Sequence, residues 1–157
     1  MELLFNAIEK NNLAKVKELI ENGVNVNDTD TYGYTALHIA SSKGLIDLAF
    51  LLVENGIDLN SQDKNGQTIL HYVAEYNQLE LGKTVLDKGA SLSIADKYGN
   101  QPLWTAVFND KGRGDRIDII KLFLENGANV NHKNKVDKSP KDIVTIANYI
   151  NLMPFIN

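Results

Sequence analysis

The apolar residues of this chain recur at intervals of three and four, which is the spacing of one buried face of a helix. Leu48, Leu51 and Leu52 show this spacing, and the segment 119–123 shows it again. Residues that favour helix ends bound these segments: Thr35, Thr68, Pro102 and Pro140 at the starts, and Gly56, Gly89 and Gly127 at the ends. Threonine caps a first turn, proline fits there because its position needs no amide hydrogen, and glycine adopts the left-handed conformation that ends many helices. The pattern predicts a series of short amphipathic helices.

The same unit occurs several times along the chain. Asp30, Asp63 and Asp96 are 33 residues apart in both intervals, and the segments that follow them align with one another. The coinciding glycines and leucines are Gly33, Gly66 and Gly99, and Leu37, Leu70 and Leu103. A fixed period of this length is the signature of a solenoid. We therefore divide the chain into five units, at about 1–29, 30–62, 63–95, 96–133 and 134–157.

The fourth unit contains an insertion near residues 108–116. Asp47 follows Ala40 by seven positions in the second unit, whereas Asp118 follows Ala106 by twelve at the equivalent place. We predict that the extra residues form a flexible, charged loop between two helices. The stack is expected to tolerate changes in its length, and such loops often carry function.

Three strings resemble the ankyrin repeat family: TALHIA at 35–40, TILHYV at 68–73 and, less closely, QPLWTA at 101–106. VENGIDLN and LENGANVN are similar to the end of that family's second helix. The resemblance covers nearly the whole chain. It implies an all-α, ankyrin-repeat solenoid of about five helix-turn-helix units with short hairpin turns, in one domain over residues 1–157.

The first and last units have the features of caps. In the first unit, charged Lys15 and Glu18 stand where leucines face the preceding unit elsewhere, and a terminal unit requires such a polar outer face. The last unit begins with Ser139-Pro140, and Pro154 shortens its second helix. We predict a complete, capped stack that is a monomer by itself.

Composition narrows the function classes. The 157 residues include no cysteine, which excludes disulfides and thiolate metal sites, and the start MELLFNAIEK lacks the pattern of a secretory signal. The net charge of −4 argues against nucleic acid as the partner, and no apolar run is long enough to span a membrane. These observations predict a cytoplasmic protein that binds neither nucleic acid nor membrane.

No group of residues predicts catalysis. His38 and His71 occupy the same position in successive units, where the family's histidine bonds within and between turns, so we interpret both as buried, uncharged and structural. His132 falls in the last hairpin and is expected to be exposed. The sequence has no metal-ligand spacing, no nucleophile–histidine–acid motif and no phosphate-binding glycine loop. We predict a protein that is not an enzyme, with no catalytic residue, metal or cofactor.

In ankyrin stacks, the hairpin tips and the exposed face of each first helix form one concave surface. By position, several aromatic residues of this chain align along that surface, and tyrosine is favoured at interfaces. Trp104 replaces the histidine of its unit beside the insertion, and departures from a local rule often mark functional sites. The residues predicted to contact a partner are Tyr32, Tyr34, Lys43, Asn65, Gln67, Glu75, Tyr76, Tyr98, Asn100, Trp104, Phe108, Arg113 and Arg116.

The predicted function is binding of another protein. The C-terminal string SPKDIVTIANYINLMPFIN resembles the last unit of small bacterial single-domain ankyrin proteins, with Val144 where alanine is expected. Such proteins are often immunity partners that neutralise secreted toxins, so the resemblance implies a protein that blocks its partner, with a toxin domain as that partner. The alternative is an intracellular scaffold, adaptor or regulatory inhibitor in a host-associated or viral setting.

Overall fold

The computed structural model describes residues 2–156, and this part of the chain forms helices joined by short turns. The helices are α1 (Glu2–Glu9), α2 (Leu13–Glu21), α3 (Ala36–Ser42), α4 (Ile46–Glu54), α5 (Ile69–Tyr76), α6 (Leu79–Asp87), α7 (Pro102–Asp110), α8 (Ile117–Glu125), α9 (Pro140–Ile146) and α10 (Met153–Ile156). Between residues 2 and 156 the one β-type pairing is an isolated bridge from Thr29 to Thr35. The predicted all-α fold is confirmed.

The helices lie in two layers. Helices α1, α3, α5, α7 and α9 pack side by side in chain order and form the first layer, while α2, α4, α6 and α8 form the second. Each helix of the first layer also packs against the helix that follows it. Neighbouring units therefore bury a continuous core, which is how a solenoid is stabilised.

The residues predicted at the helix ends lie where expected. Thr35 and Thr68 are the N-caps of α3 and α5, and Pro102 and Pro140 are the first residues of α7 and α9. The three glycines that follow the second helices of their units have positive φ. In the last hairpin Asp137 takes the place of the turn glycine, also with positive φ (57°).

A hairpin turn precedes each of α3, α5, α7 and α9. In every hairpin, one side-chain oxygen accepts the backbone N–H groups two and four residues further on, at distances of 2.8–3.1 Å. The residues that provide this oxygen are Asp30, Asp63, Asp96 and Asn134. The 33-residue period of the sequence is thus the period of an internally bonded turn.

Backbone hydrogen bonds also join each hairpin to the next. The N–H groups of Lys64, Lys97 and Lys135 donate to carbonyl oxygens of the preceding hairpin, at Tyr32, Asn65 and Tyr98, over 3.0, 2.7 and 2.9 Å. The hairpin tips consequently follow one another along a single edge of the molecule.

Helix α2 of the first unit carries exposed charges. Lys15 and Glu18 of α2 form an ion pair of 2.5 Å with each other, and their side chains are 42% and 56% exposed. At the other end, α10 has four residues, and Leu152 and Ile156 are buried. Among the helices of residues 2–156, none is both long enough and apolar enough to cross a membrane.

Candidate functional site

Exposed aromatic side chains are confined to one side of the molecule. This side, called the inner surface below, consists of the hairpin tips and the solvent-facing residues of the first-layer helices. Tyr32 and Tyr98 lie on hairpin tips and are 61% and 59% exposed, while Tyr76 of α5 and Phe108 of α7 are 44% and 47% exposed. No other aromatic side chain of residues 2–156 is exposed to this degree. Apolar area of this kind has no role in the core.

A first pocket of about 360 Å³ lies where α1, α3 and α5 meet, and it includes Tyr34, Tyr72 and Tyr76. An ion pair of 2.7 Å between Lys43 Nζ and Glu9 joins two of its neighbouring helices. Lys43, predicted to contact a partner, therefore already has a partner within the chain. The pocket presents phenol groups beside one ion pair.

Tyr72 forms the buried part of this pocket, and it was not among the residues predicted from the sequence. Its hydroxyl group donates to Asp63 Oδ2 at 3.1 Å, and the residue is buried. Burial, and then the neighbouring Asp63 carboxylate, raise the pKa of Tyr72 well above its usual range. The repeat pattern gives no signal for this contact, because Ile39 and Thr105 occupy the equivalent position in the adjacent units.

Four rings extend the aromatic surface inward from the first hairpin tip. Tyr34 lies 6.3 Å from Tyr32 and 6.5 Å from His38 between ring centroids, and His38 lies 4.9 Å from Tyr72. Tyr72 in turn lies 6.1 Å from Tyr76. Tyr34 is half-buried, so it supports the exposed tyrosines as well as facing solvent.

A second pocket of about 490 Å³ lies between α5, α7 and the last two hairpins, and it is mainly apolar. The rings of Trp104 and Phe108 are stacked at 4.7 Å with an interplanar angle of 16°. The indole N–H of Trp104 is shielded from solvent and has no hydrogen-bond partner. Val136, which the sequence prediction missed, is 72% exposed beside these rings. Gln67 and Glu75 line the same pocket, as predicted for an inner-surface position.

Two of the predicted contact residues bond to other parts of the chain. Asn100 is buried, 7% exposed, because its amide accepts from Asn134 Nδ2 at 2.8 Å and donates to Asp96. The Arg116 side chain is only 16% exposed, since its Nη1 donates to the carbonyl oxygen of Ala74 at 2.9 Å. These bonds hold both side chains within the stack, and contact of either residue with a partner stays a prediction. Position within the repeat identified the turn and the loop, but not the direction of the side chain.

The inserted loop, residues 111–116, is anchored on both sides. Asp110 is fully buried and its carboxylate accepts the N–H groups of Gly114 and Arg116 at 3.0 and 2.9 Å. Asn77 of the preceding unit donates to a loop carbonyl at 3.1 Å, and Asn151 of the last unit donates to another at 3.2 Å. These contacts do not fit the prediction of a free, flexible loop. Within this loop, the exposed Arg113 bonds to residues of its own segment, at Asp115 and Asn109.

The two repeated histidines are buried, 2% and 0% exposed, as predicted. His38 Nδ1 accepts the N–H of Thr35 at 3.1 Å, and His71 Nδ1 accepts the N–H of Thr68 at 3.0 Å. His71 Nε2 also bonds the carbonyl oxygen of Asn100, in the next hairpin, at 3.0 Å. His132 is half-buried and bonds the carbonyl oxygen of Gly99 at 3.0 Å, so the expectation that it is exposed is wrong.

Burial of the histidines predicts a pH-dependent stability. Desolvation lowers the pKa of His38 from 6.5 to about 4, and burial lowers the pKa of His71 as well. Since the folded state disfavours the proton, the unfolded chain binds more protons below pH 6.5, and stability falls as pH decreases toward 4. We expect His38 alone to lower the free energy of unfolding by about 2 kcal/mol between pH 7 and pH 5.

The measurement is urea unfolding of the wild type and of His38→Gln across this pH range. The variant removes one titrating group, so its free energy of unfolding is expected to depend less on pH than that of the wild type. Equal pH dependence in the two proteins would contradict the assignment of a lowered pKa to His38.

Across residues 2–156, the acidic and histidine side chains form no cluster that could hold a metal ion. The polar groups of the inner surface are separated phenols, amides and charges, and the two buried histidines bond to backbone. The arrangement is suited to contact with a second molecule over a wide area.

Comparisons with known proteins agree with the repeat architecture. A sequence model described as ankyrin repeats, in three copies, matches residues 1–63 and 47–134. An ankyrin repeat protein of Fowlpox virus (strain NVSL), FPV223, is 47% identical over 45 residues, which are 29% of this chain and 32% of the relative. The match thus spans about a third of the length of this curated relative.

Proposed function

Because the chain belongs to the ankyrin repeat family, whose members are protein–protein interaction modules, we propose that it binds a protein partner through the inner surface and blocks the region it covers. The observation that carries this proposal is the confinement of the exposed aromatic side chains to that surface. Aromatic residues at the centre of an interface provide a large contact area at low entropic cost, and they dominate measured binding energies.

The two pockets of this surface differ in chemical character. The first places Tyr76 at the edge of a polar cleft, whereas the second offers the stacked Trp104–Phe108 pair and Val136 as an apolar floor. A shielded indole N–H without a protein partner adds an unused donor at Trp104. We assign the role of anchors to Tyr76 and Phe108, because both are exposed and both belong to ordered aromatic pairs.

Two different resemblances support two different kinds of partner. The C-terminal string supports neutralisation of a toxin, and this role stays a prediction based on that string alone. The match to a viral ankyrin repeat protein supports the alternative of a scaffold, adaptor or regulatory inhibitor in a host-associated or viral setting. Cytoplasmic location and a monomeric state likewise stay predictions. All these roles require the same binding surface.

Anchor variants test the proposal. We expect Tyr76→Ala and Phe108→Ala each to weaken partner binding by roughly ten- to thirty-fold, since truncation of a central aromatic anchor costs about 2 kcal/mol. The partner is first captured from the native source with the wild-type chain as bait, and each variant is then titrated against it by calorimetry.

Two charge reversals in the second layer serve as controls. Glu54 and Lys121 are exposed on α4 and α8, and Glu54→Lys and Lys121→Glu are expected to bind like the wild type. Thermal unfolding of every variant shows whether the stack is intact. Loss of binding in these controls, with normal binding by the anchor variants, would place the interface on the second layer and refute the proposal.

A further inference from the structure

A row of lysines follows the hairpin tips of the inner surface. Lys64, Lys97 and Lys135 each come directly after the residue that organises its turn, and all three are exposed. Their N–H groups bond to the preceding hairpin, which makes the lysines consecutive along one edge. Helices that pack side by side are roughly 8–10 Å apart, so the backbone positions of the three lysines are expected to recur at about this distance.

Two of the three ammonium groups are held in place by tyrosine rings. Lys64 Nζ lies 5.1 Å from the ring centroid of Tyr32, and Lys97 Nζ lies 5.0 Å from that of Tyr98. Lys97 Nζ also donates to Asn65 Oδ1 at 2.7 Å. Such contacts orient a cation before a ligand arrives, so less side-chain freedom is lost on binding.

The part of the chain that the structure describes does not neutralise the positive charge of the row. Within residues 2–156, none of the three ammonium groups has a carboxylate within ion-pair distance. Asp63 and Asp96 direct their carboxylates into their own turns, where backbone N–H groups donate to them. The last hairpin has an amide in this place.

Other charges of the inner surface lie on the helices and in the last hairpin, where Asp137 forms an ion pair of 2.9 Å with Lys133. Glu9 is paired with Lys43, and Glu75 is exposed beside the second pocket. The whole chain carries a net charge of −4. The lysine row is therefore a local basic edge on an acidic protein, and its charge favours a partner segment of opposite charge.

We propose that the lysine row binds an extended, acidic segment of the protein partner, an inference that rests on the proposed function. In the polyproline II conformation an extended chain advances by about 3.1 Å per residue with three residues per turn, so carboxylates at every third position lie on one side and recur at about 9 Å, close to the expected spacing of the lysines. The apolar pocket next to Lys135 receives an apolar side chain from the same segment.

A single-stranded nucleic acid would also combine negative charge with groups that stack on aromatic rings. The observations favour the acidic peptide, because Glu75 lies beside the rings on which bases would stack and because the row has few cations. Tighter binding of a nucleic acid than of the acidic peptide is therefore the competing outcome of the experiment.

The experiment uses three fluorescent probes at low and at physiological ionic strength. The first is a peptide with glutamate at every third position and serine or threonine between; the second has the same composition with its glutamates clustered at one end; the third is oligo(dT). We expect the spaced peptide to bind most tightly, to bind more weakly as salt is added, and to shift the amide NMR signals of Lys64, Lys97 and Lys135.

Matched charge-reversed variants locate the site. Replacement of the row by Lys64→Glu, Lys97→Glu and Lys135→Glu should weaken binding of the spaced peptide by about tenfold, the combined effect of three exposed ion pairs. Lys17→Glu, Lys88→Glu and Lys121→Glu change the net charge equally, but they lie on second-layer helices or at their ends, and should have little effect.

The proposal is overturned if both triple variants lose affinity equally, if the tip signals do not move, or if oligo(dT) binds more tightly than the spaced peptide. The native partner separates this inference from the proposed function. If Tyr76→Ala abolishes binding of the partner but the tip-lysine variant still binds it, the proposal of an acidic segment is refuted and the proposed function stands. If the anchor variants still bind the partner, the proposed binding surface itself is refuted.

Discussion

Asp110→Ala is expected to lower the free energy of unfolding by about 3 kcal/mol, because it leaves two backbone N–H groups of the inserted loop without an acceptor. Those groups belong to Gly114 and Arg116, and both now donate to a carboxylate that is fully buried. Each buried hydrogen bond to a charged acceptor contributes about 1.5–3 kcal/mol. The effect extends beyond the loop, since the loop also bonds to the units before and after it.

Chemical unfolding of Asp110→Ala and of a matched control measures this effect. Asp87→Ala is a suitable control, because Asp87 is an exposed aspartate at the end of α6. Hydrogen exchange at the backbone N–H groups of Gly114 and Arg116 distinguishes local opening of the loop from unfolding of the whole stack. If exchange accelerates there while the unfolding midpoint equals that of the control, the bonds to Asp110 stabilise the loop alone and not the contacts between units.

The sequence is sufficient to predict the architecture because each unit repeats the same short-range hydrogen bonds at the same positions. Asp30, Asp63 and Asp96 each organise a turn through bonds to residues two and four positions on. A contact of such short range is encoded in spacing alone. The caps at Thr35 and Thr68 were predictable for the same reason.

Contacts between units could not be predicted in this way. Asn100 is buried by Asn134 of the next hairpin, and Arg116 bonds to Ala74 of the preceding unit. Both contacts depend on how the units stack, and in the second case on a loop that no other unit contains. Residues that depart from the repeat therefore have to be placed by the three-dimensional structure.

The exposed part of the candidate site shows the same division. Tyr32, Tyr76 and Tyr98 could be assigned to the inner surface, because each has a defined place in the repeat. Val136 and Tyr72 could not, since their roles arise from the pocket and from the bond to Asp63. The repeat thus determines which backbone positions lie on the inner surface, and the side chains at those positions determine which contacts the surface can make.

Gly66→Ala should be strongly destabilising, by about 3 kcal/mol or more, because this glycine meets two requirements at once. Its φ is +77°, which costs roughly 1–2 kcal/mol for a residue with a Cβ atom. An added Cβ would lie 2.9 Å from the backbone nitrogen of Lys97 and 3.1 Å from backbone carbons of Asp96. These atoms belong to the next hairpin, so the two hairpins have to separate, which weakens the 2.7 Å bond from Lys97 N to the Asn65 carbonyl.

Comparison with Gly56→Ala isolates this second requirement, because Gly56 has nearly the same φ, +79°, with nothing within 4 Å of an added Cβ. We expect Gly56→Ala to cost only the conformational part, about 1–2 kcal/mol. Unfolding of both variants in urea gives the difference directly. Equal destabilisation of the two would show that close contact between these two hairpins contributes little to stability.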